Sequence, residues 1–279
     1  MPEGDTIFRA ARTLDRALAG REVTAFDTHL AQLAVVHRRA PVSGRTVVGA
    51  AARGKHLLIE FTGDLFLRSH MRMHGSWHLY RPGERWRARR IDARIVITTP
   101  AWLAIAFNVS DAEFVTRDEL ERHARVTALG PDLLSESFDR DEARKRLRET
   151  PARHIAEAIL RQQSMAGLGN VYKSEVLFLC GVDPRTPVAD VADATMDCLI
   201  DRGRALIKLN VSERSIAGPS GHGRVTTGRL NPAERLWVYG RAGKPCLKCG
   251  TPILSATETE GRRTYWCPTC QRPRESFSR

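Results

Sequence analysis

Cys246-x2-Cys249-x17-Cys267-x2-Cys270 places four thiols in two matched knuckles near the end of the chain. Each C-x2-C pair brings two thiolates within reach of one metal ion, and two pairs complete a tetrahedral sulfur set. A closed set has no open coordination position, so the pattern predicts one structural zinc ion (Zn2+); redox-active pairs or disulfides are the rival readings. A segment this short buries too little apolar surface to fold alone, and metal binding supplies the missing free energy. At the other end the chain opens Met1-Pro2-Glu3-Gly4-Asp5. Removal of the initiator Met leaves Pro2 with a free secondary amine, whose pKa should lie near ~8 instead of the ~10.4 of a lysine. A helix beginning near Asp5 points its positive end at this amine and favours the neutral, nucleophilic form. Glu3 stands beside it as a general acid or base. The same residues also read as a plain helix cap, with acids favoured by the dipole. Lys55, in Arg53-Gly54-Lys55-His56, heads an apolar strand-like run; it is a third functional group or a surface lysine. Gly167-Leu168-Gly169-Asn170 opens a helix whose amides can hold a phosphate, or is an ordinary connection between helices.

These groups need elements to position them. Before residue 115 the pattern is strand-like: Val47-Val48, His56–Phe61, Leu65–His70, Trp77–Tyr80, Arg94–Thr98 and Trp102–Phe107, with a turn at Thr62-Gly63-Asp64. Ile95 and Ile97 alternate with Arg94, Val96 and Thr98, with both faces fairly apolar, as in two stacked sheets. Ile7, Phe8, Ala11, Leu14 and Leu18 recur at helical spacing ahead of them. From Thr116, a capping-box residue with Glu119, the signals turn helical: Asp139–Glu149, His154–Gln163, Val171–Leu179 and Ala192–Leu209. Residues 210–235, rich in Gly, Pro, Ser and Arg, read as a mobile linker. The expected fold class is α+β: a β-sandwich with a flanking helix over 1–115, a helical domain and linker over 116–236, and the cysteine finger over 237–279.

The chain has 279 residues, with 44 Lys+Arg against 32 Asp+Glu and a formal charge of +12. That balance points to a polyanionic partner, nucleic acid first. No apolar run approaches the ~20 residues that span a bilayer, and the first residues carry acids where a secretory signal is apolar, so no membrane partner and a cytoplasmic location are expected. Lys244, Lys248, Arg262, Arg263, Arg272, Arg274 and Arg279 crowd the finger, and Tyr265-Trp266 adds aromatic surface. Cysteines concentrated at one end argue against a disulfide framework; Cys180 and Cys198, in apolar helical context, read as buried inert thiols.

Jointly, Pro2-Glu3-Gly4, Gly54-Lys55, Gln163-Ser-Met-Ala-Gly-Leu-Gly-Asn170, Leu236–Pro245 and the four-cysteine finger resemble, in order and over the whole chain, the formamidopyrimidine-DNA glycosylase and endonuclease VIII family. The resemblance implies a helix–two-turn–helix element in the helical domain and a bifunctional glycosylase and abasic-site lyase of base-excision repair. It implies that Pro2 attacks the sugar C1′ to form a Schiff base, that Glu3 moves protons, and that Lys55 holds the flanking phosphate, followed by β,δ-elimination. It implies DNA contacts by Asn170, Arg262 or the adjacent Arg263, and Lys173. The place of the loop that fills the void left by the everted base falls on Arg72-Met73-His74, with Met73 as the apolar plug or else a core methionine, and Arg72 beside it. Pro-Glu-Gly-Asp resembles the endonuclease VIII branch, and no Arg-x-Phe follows Phe107 as in the purine branch. Oxidised pyrimidines in double-stranded DNA are therefore the expected substrate, with single-stranded or bubble DNA as variants. Oxidised-purine excision, or a non-catalytic damage binder on the same scaffold, is the alternative. A monomer associated with the nucleoid is expected.

Overall fold

The computed structural model describes residues 2–212, 223–229, 231–258 and 261–272. The chain divides into two compact units, Met1–Ala128 and Leu129–Arg279.

In the first unit, helix α1 (Gly4–Leu18) buries Ile7, Ala11, Leu14 and Leu18 along one face, as their spacing predicts. Behind it lie two antiparallel four-stranded sheets. One runs β1 (Ala25–Thr28), β6 (Ala93–Thr98), β7 (Leu103–Phe107), β5 (Ser76–Tyr80); the other runs β2 (Val47–Arg53), β3 (His56–Phe61), β4 (Leu65–His70), β8 (Asp111–Val115). Helix α2 (Ala31–Arg39) lies between β1 and β2 in sequence. Leu57, Ile59, Phe61 and Leu67 meet Ile95, Ile97, Ala104 and Ala106 in the main core, which is the expected sandwich. β1, α2 and β8 carry weak sequence patterns and were not among the expected elements. Asp64 takes φ 58° in the turn between β3 and β4, beside Gly63 at φ 79°, as a tight hairpin demands.

The expected boundary at 115 lies short of the observed one at 128. Helices α3 (Arg117–Arg122) and α4 (Ala124–Thr127) follow the capping box of Thr116 and Glu119. They return over the outer face of the second sheet, where Leu120 and Val126 pack with Leu58, Phe66 and Val115. Leu58 of β3 is thereby buried on the outer face, while Leu57, Ile59 and Phe61 fill the inner one.

The second unit holds α5 (Arg140–Glu149), α6 (Ile155–Leu160), α7 (Asn170–Leu179), α8 (Asp193–Val211) and a hairpin of β9 (Leu254–Thr257) and β10 (Arg263–Trp266). The finger shares a core with the end of α7: Phe178 packs with Val238, Cys246, Ile253 and Cys267. Two features differ from the sequence expectation. Cys180 and Cys198 are joined in a disulfide, because α7 and α8 bring their Cα atoms to 6.0 Å. Trp266 is a core residue and not surface. The segment expected as a mobile linker is anchored where it is described: Asn210 Nδ2 donates to Val225 O at 3.0 Å, and the Val225 amide donates back to Asn210 Oδ1 at 2.9 Å. Residues 213–222 and 230 of that segment, and Arg274 and Arg279 of the finger, lie outside the described residues.

Candidate active site and nucleic-acid interface

The Gly20 amide donates to Val47 O at 2.8 Å, and Asp15 Oδ1 accepts the Ala50 amide at 2.9 Å. Moving back along α1 therefore means moving forward along β2. From Asp15 to Gly4 the helix rises about 16 Å at ~1.5 Å per residue; from Ala50 to Gly54 the strand covers about 13 Å at ~3.3 Å per residue. The lengths match, so the start of α1, with Pro2 and Glu3, reaches the level of the Gly54-Lys55 turn. Glu3 is fully buried and caps the helix with its carbonyl, which accepts the Thr6 and Ile7 amides. Gly54 takes φ 58°, which lets two residues close the β2–β3 hairpin and leaves Lys55 half-buried at its tip.

Across the same sheet end, Arg53 pairs with His56, His56 with His70, and His70 with Asp111. Beneath this row lies Arg68, 2% exposed. It donates to His56 Nδ1 at 3.0 Å, to Asp111 Oδ1 at 2.7 Å and to Glu113 Oε1 at 2.5 Å. His123 reaches the same Glu113 oxygen at 2.8 Å. Burial, then the Arg68 charge, pushes the His56 imidazole down to about 3. Burial, then Arg72, pushes His70 down to about 4. Both rings are therefore neutral at pH 7. A guanidinium only donates, so His56 Nδ1 accepts and its proton sits on Nε2; His70 Nδ1 accepts the Arg72 amide at 3.0 Å and is likewise the Nε2–H form. Burial pushes the Asp111 carboxyl up, but Arg68 and Arg72 outweigh it and hold it below the ordinary carboxylate value.

After β4 the chain turns through Arg72, Met73 and His74. Met73 is 57% exposed, whereas Met71 packs in the core; the core-methionine alternative for Met73 is thereby removed. Arg72 sits at φ 49° and donates to Asp111 Oδ2. After Phe107, Val109 is fully buried, so this connection presents no apolar plug.

In the second unit, Asn170 begins α7, with Gly169 as the N-cap. Its Nδ2 donates to the Arg263 carbonyl at 2.9 Å, while Oδ1 is buried without a hydrogen-bond partner. Lys173, grouped by sequence with the DNA contacts, is fully buried instead. Its Nζ donates to Glu258 Oε1 at 3.1 Å and to Thr264 Oγ1 at 2.5 Å, so it holds the finger hairpin and does not reach a ligand. The Glu258 amide in turn donates to Arg262 O at 2.8 Å, and the side chains of Arg262 and Arg263 are exposed. Glu175 is a second buried anchor that sequence reasoning missed. Its carboxylate accepts the amides of Trp237, Val238 and Tyr239 at 2.7–2.9 Å and the Thr226 hydroxyl. That contact orients the segment entering the finger.

The four knuckle sulfurs lie within 4.8 Å of one another. Cys246 to Cys270 is 4.0 Å, Cys249 to Cys267 is 3.4 Å and Cys249 to Cys270 is 3.5 Å. A tetrahedron with ~2.3 Å metal–sulfur bonds has edges of about 3.8 Å, so the donor set fits a zinc-type ion.

Two domains of known kind match the chain in sequence: the formamidopyrimidine-DNA glycosylase N-terminal domain over residues 1–128 and the formamidopyrimidine-DNA glycosylase H2TH domain over 129–218. The chain belongs to the formamidopyrimidine-DNA glycosylase and endonuclease 8 family. It is 41% identical over 275 residues to a probable endonuclease 8 2 of Streptomyces coelicolor, covering 97% of this chain and 94% of that one. It is 38% identical over 272 residues to the DNA-(apurinic or apyrimidinic site) lyase Nei2 of Mycolicibacterium smegmatis, covering 97% and 99%. Among solved structures, Lactococcus lactis Fpg in complex with an abasic site containing DNA superposes with a TM-score of 0.82 at 24% identity, covering 98% of this chain and all of that one. The first domain match ends at residue 128, where the first compact unit of this family member also ends.

Proposed function

We propose that this protein is a bifunctional DNA glycosylase and abasic-site lyase that removes oxidised pyrimidines from duplex DNA. The observation that carries this reading is the arrival of Pro2 and Glu3, at the start of the chain, at the level of the Lys55 turn more than fifty residues further on. The neutral Pro2 nitrogen attacks C1′; the C1′–N bond breaks and its electron pair leaves with the base, which takes up a proton. Glu3 protonates the sugar ring oxygen, the ring opens, and an iminium links Pro2 to C1′. Loss of a C2′ proton with cleavage of the C3′–O bond is the β step; the δ step breaks the C5′–O bond. Lys55 holds the phosphate beside the lesion. The relatives named endonuclease 8 and abasic-site lyase support the chemistry. The opening Pro-Glu-Gly-Asp and the buried Val109, where the purine branch keeps void-filling residues, support the pyrimidine side. Arg262 and Arg263 are the phosphate contacts of the second unit, with Asn170 at the start of α7. One structural zinc held by Cys246, Cys249, Cys267 and Cys270 would lock the finger fold and take no part in the reaction.

Borohydride should trap the Met-processed protein on an oligonucleotide carrying 5-hydroxyuracil or an abasic site. Blocking the Pro2 amine with an N-terminal extension should abolish trapping while salt-sensitive DNA binding persists. Trapping by the blocked protein would assign the nucleophile elsewhere, and absence of any adduct from the processed protein would remove the enzyme reading. Elemental analysis of active protein should return one zinc per chain.

A further inference from the structure

The turn at Arg72, Met73 and His74 is held by an unusual set of contacts. Arg72 occupies the left-handed region, which a non-glycine residue enters only when its surroundings impose it. Two backbone contacts help: the Arg72 amide donates to His70 Nδ1, and the Gly75 amide donates to Met71 O at 2.8 Å. The third contact is ionic and comes from another strand: the Arg72 guanidinium donates to Asp111 Oδ2. An open cavity of about 750 Å³ borders both residues, so side-chain packing alone does not fix Arg72, which is 55% exposed. Asp111 itself is fixed. Its side chain is 13% exposed, and its other oxygen takes Arg68 Nη2 at 2.7 Å. Arg68 also grips His56, the residue after Lys55. A continuous path therefore runs from Lys55 through His56, Arg68 and Asp111 to Arg72, each step covalent or hydrogen-bonded.

A carboxylate on a face meant for a polyanion is unfavourable unless its charge is balanced. Here Arg68, Arg72 and Arg125, the last at 3.4 Å, surround it, and Arg68 is too deeply buried to be drawn away by phosphate. We propose that Asp111 is a positioning residue: through Arg72 it holds the Met73-bearing turn at a fixed height relative to Lys55. The turn is then ready to enter the base stack as the target nucleotide leaves it. A turn held in place beforehand loses less conformational freedom on insertion. This inference rests on the glycosylase reading given above.

The test compares excision of 5-hydroxyuracil from duplex DNA with lyase turnover on a single strand carrying an abasic site, where no stack has to be opened. Asp111→Asn should lower the duplex-to-single-strand ratio about tenfold, the size of losing one charge-assisted hydrogen bond. A 2-aminopurine placed beside the lesion should report slower insertion. Arg72→Ala should give the same fall, Arg72→Lys should recover most of it, and the Asp111→Asn/Arg72→Ala double variant should be no worse than Arg72→Ala. An unchanged ratio in either single variant, or losses that multiply in the double, overturns the proposal. If Asp111→Asn does not fold, the Arg72→Ala and Arg72→Lys pair decides the matter alone. Failure of the wild-type protein to act on either substrate would instead count against the glycosylase reading.

Discussion

His56 and His70 show how burial sets the chemistry of single residues. Each is neutral in the fold with its Nδ1 accepting a hydrogen bond, and each would take a proton near pH 6.5 in the unfolded chain. Because the folded values are depressed, their contribution to stability is complete above pH 6.5. As pH falls from 6.5 toward about 4, the unfolded chain binds protons that the fold refuses, and stability drops. The slope should reach up to about 1.4 kcal/mol per pH unit for each ring, and urea unfolding at a series of pH values checks it. A stability flat between pH 6.5 and 4.5 would contradict the buried, neutral assignment. At this scale the residue types at Pro2, Glu3 and Lys55 were legible in sequence, and the roles proposed for them come from the family resemblance, since the same residues also read as a helix cap and a surface lysine. Lys173 was misread, since only burial distinguishes a lysine that meets phosphate from one that holds a neighbouring strand.

At the scale of elements, α7 and the β9–β10 hairpin are tied by Lys173 to Glu258 and Thr264, and by Asn170 to the Arg263 carbonyl. A fully buried ammonium is costly without its partners, and removing one partner of such a pair typically costs about 3–5 kcal/mol. Glu258→Gln should therefore destabilise the second unit and lower DNA affinity by loosening the hairpin that carries Arg262. Lys173→Met/Glu258→Gln, with no stranded charge, should recover much of the stability but not the affinity. Unfolding curves and salt-dependent binding separate the two effects. Long periodic elements such as α1, α8 and the β3–β4 hairpin were legible from spacing. β1 and β8 were not, because each is short and defined by the strand beside it: β8 gains its place from pairing with β4. The capping box that opens α3 was legible in the sequence but was placed on the far side of the expected boundary, and α4 carried no sequence signal. Their apolar residues are few, and which sheet face they cover is a tertiary fact.

At the scale of the whole molecule, the charge of +12 divides between roles. Arg68 neutralises two carboxylates inside the first unit, and Arg262 and Arg263 face outward from the second. The Cys180–Cys198 bridge spans 18 residues between α7 and α8, a loop for which a cross-link contributes about 3 kcal/mol. Cys198→Ser should lower the thermal midpoint by several degrees under oxidising conditions, while wild type and variant should converge in excess reductant. Equal midpoints under both conditions would mean that the bridge does not stabilise the fold.

The sequence by itself determined the α+β layout, the four-cysteine set and the family. Each follows from local spacing or from residue types that few other roles require. Tertiary structure alone decided that Pro2 and Lys55 share one end of the first unit, that Met73 is outside and Met71 inside, and that Cys180 meets Cys198. It also decided that Asp111 of β8 reaches Arg72 just beyond the end of the neighbouring strand β4. These are contacts between residues distant in sequence, and their strength depends on burial and on which strands pair, quantities that no local pattern records.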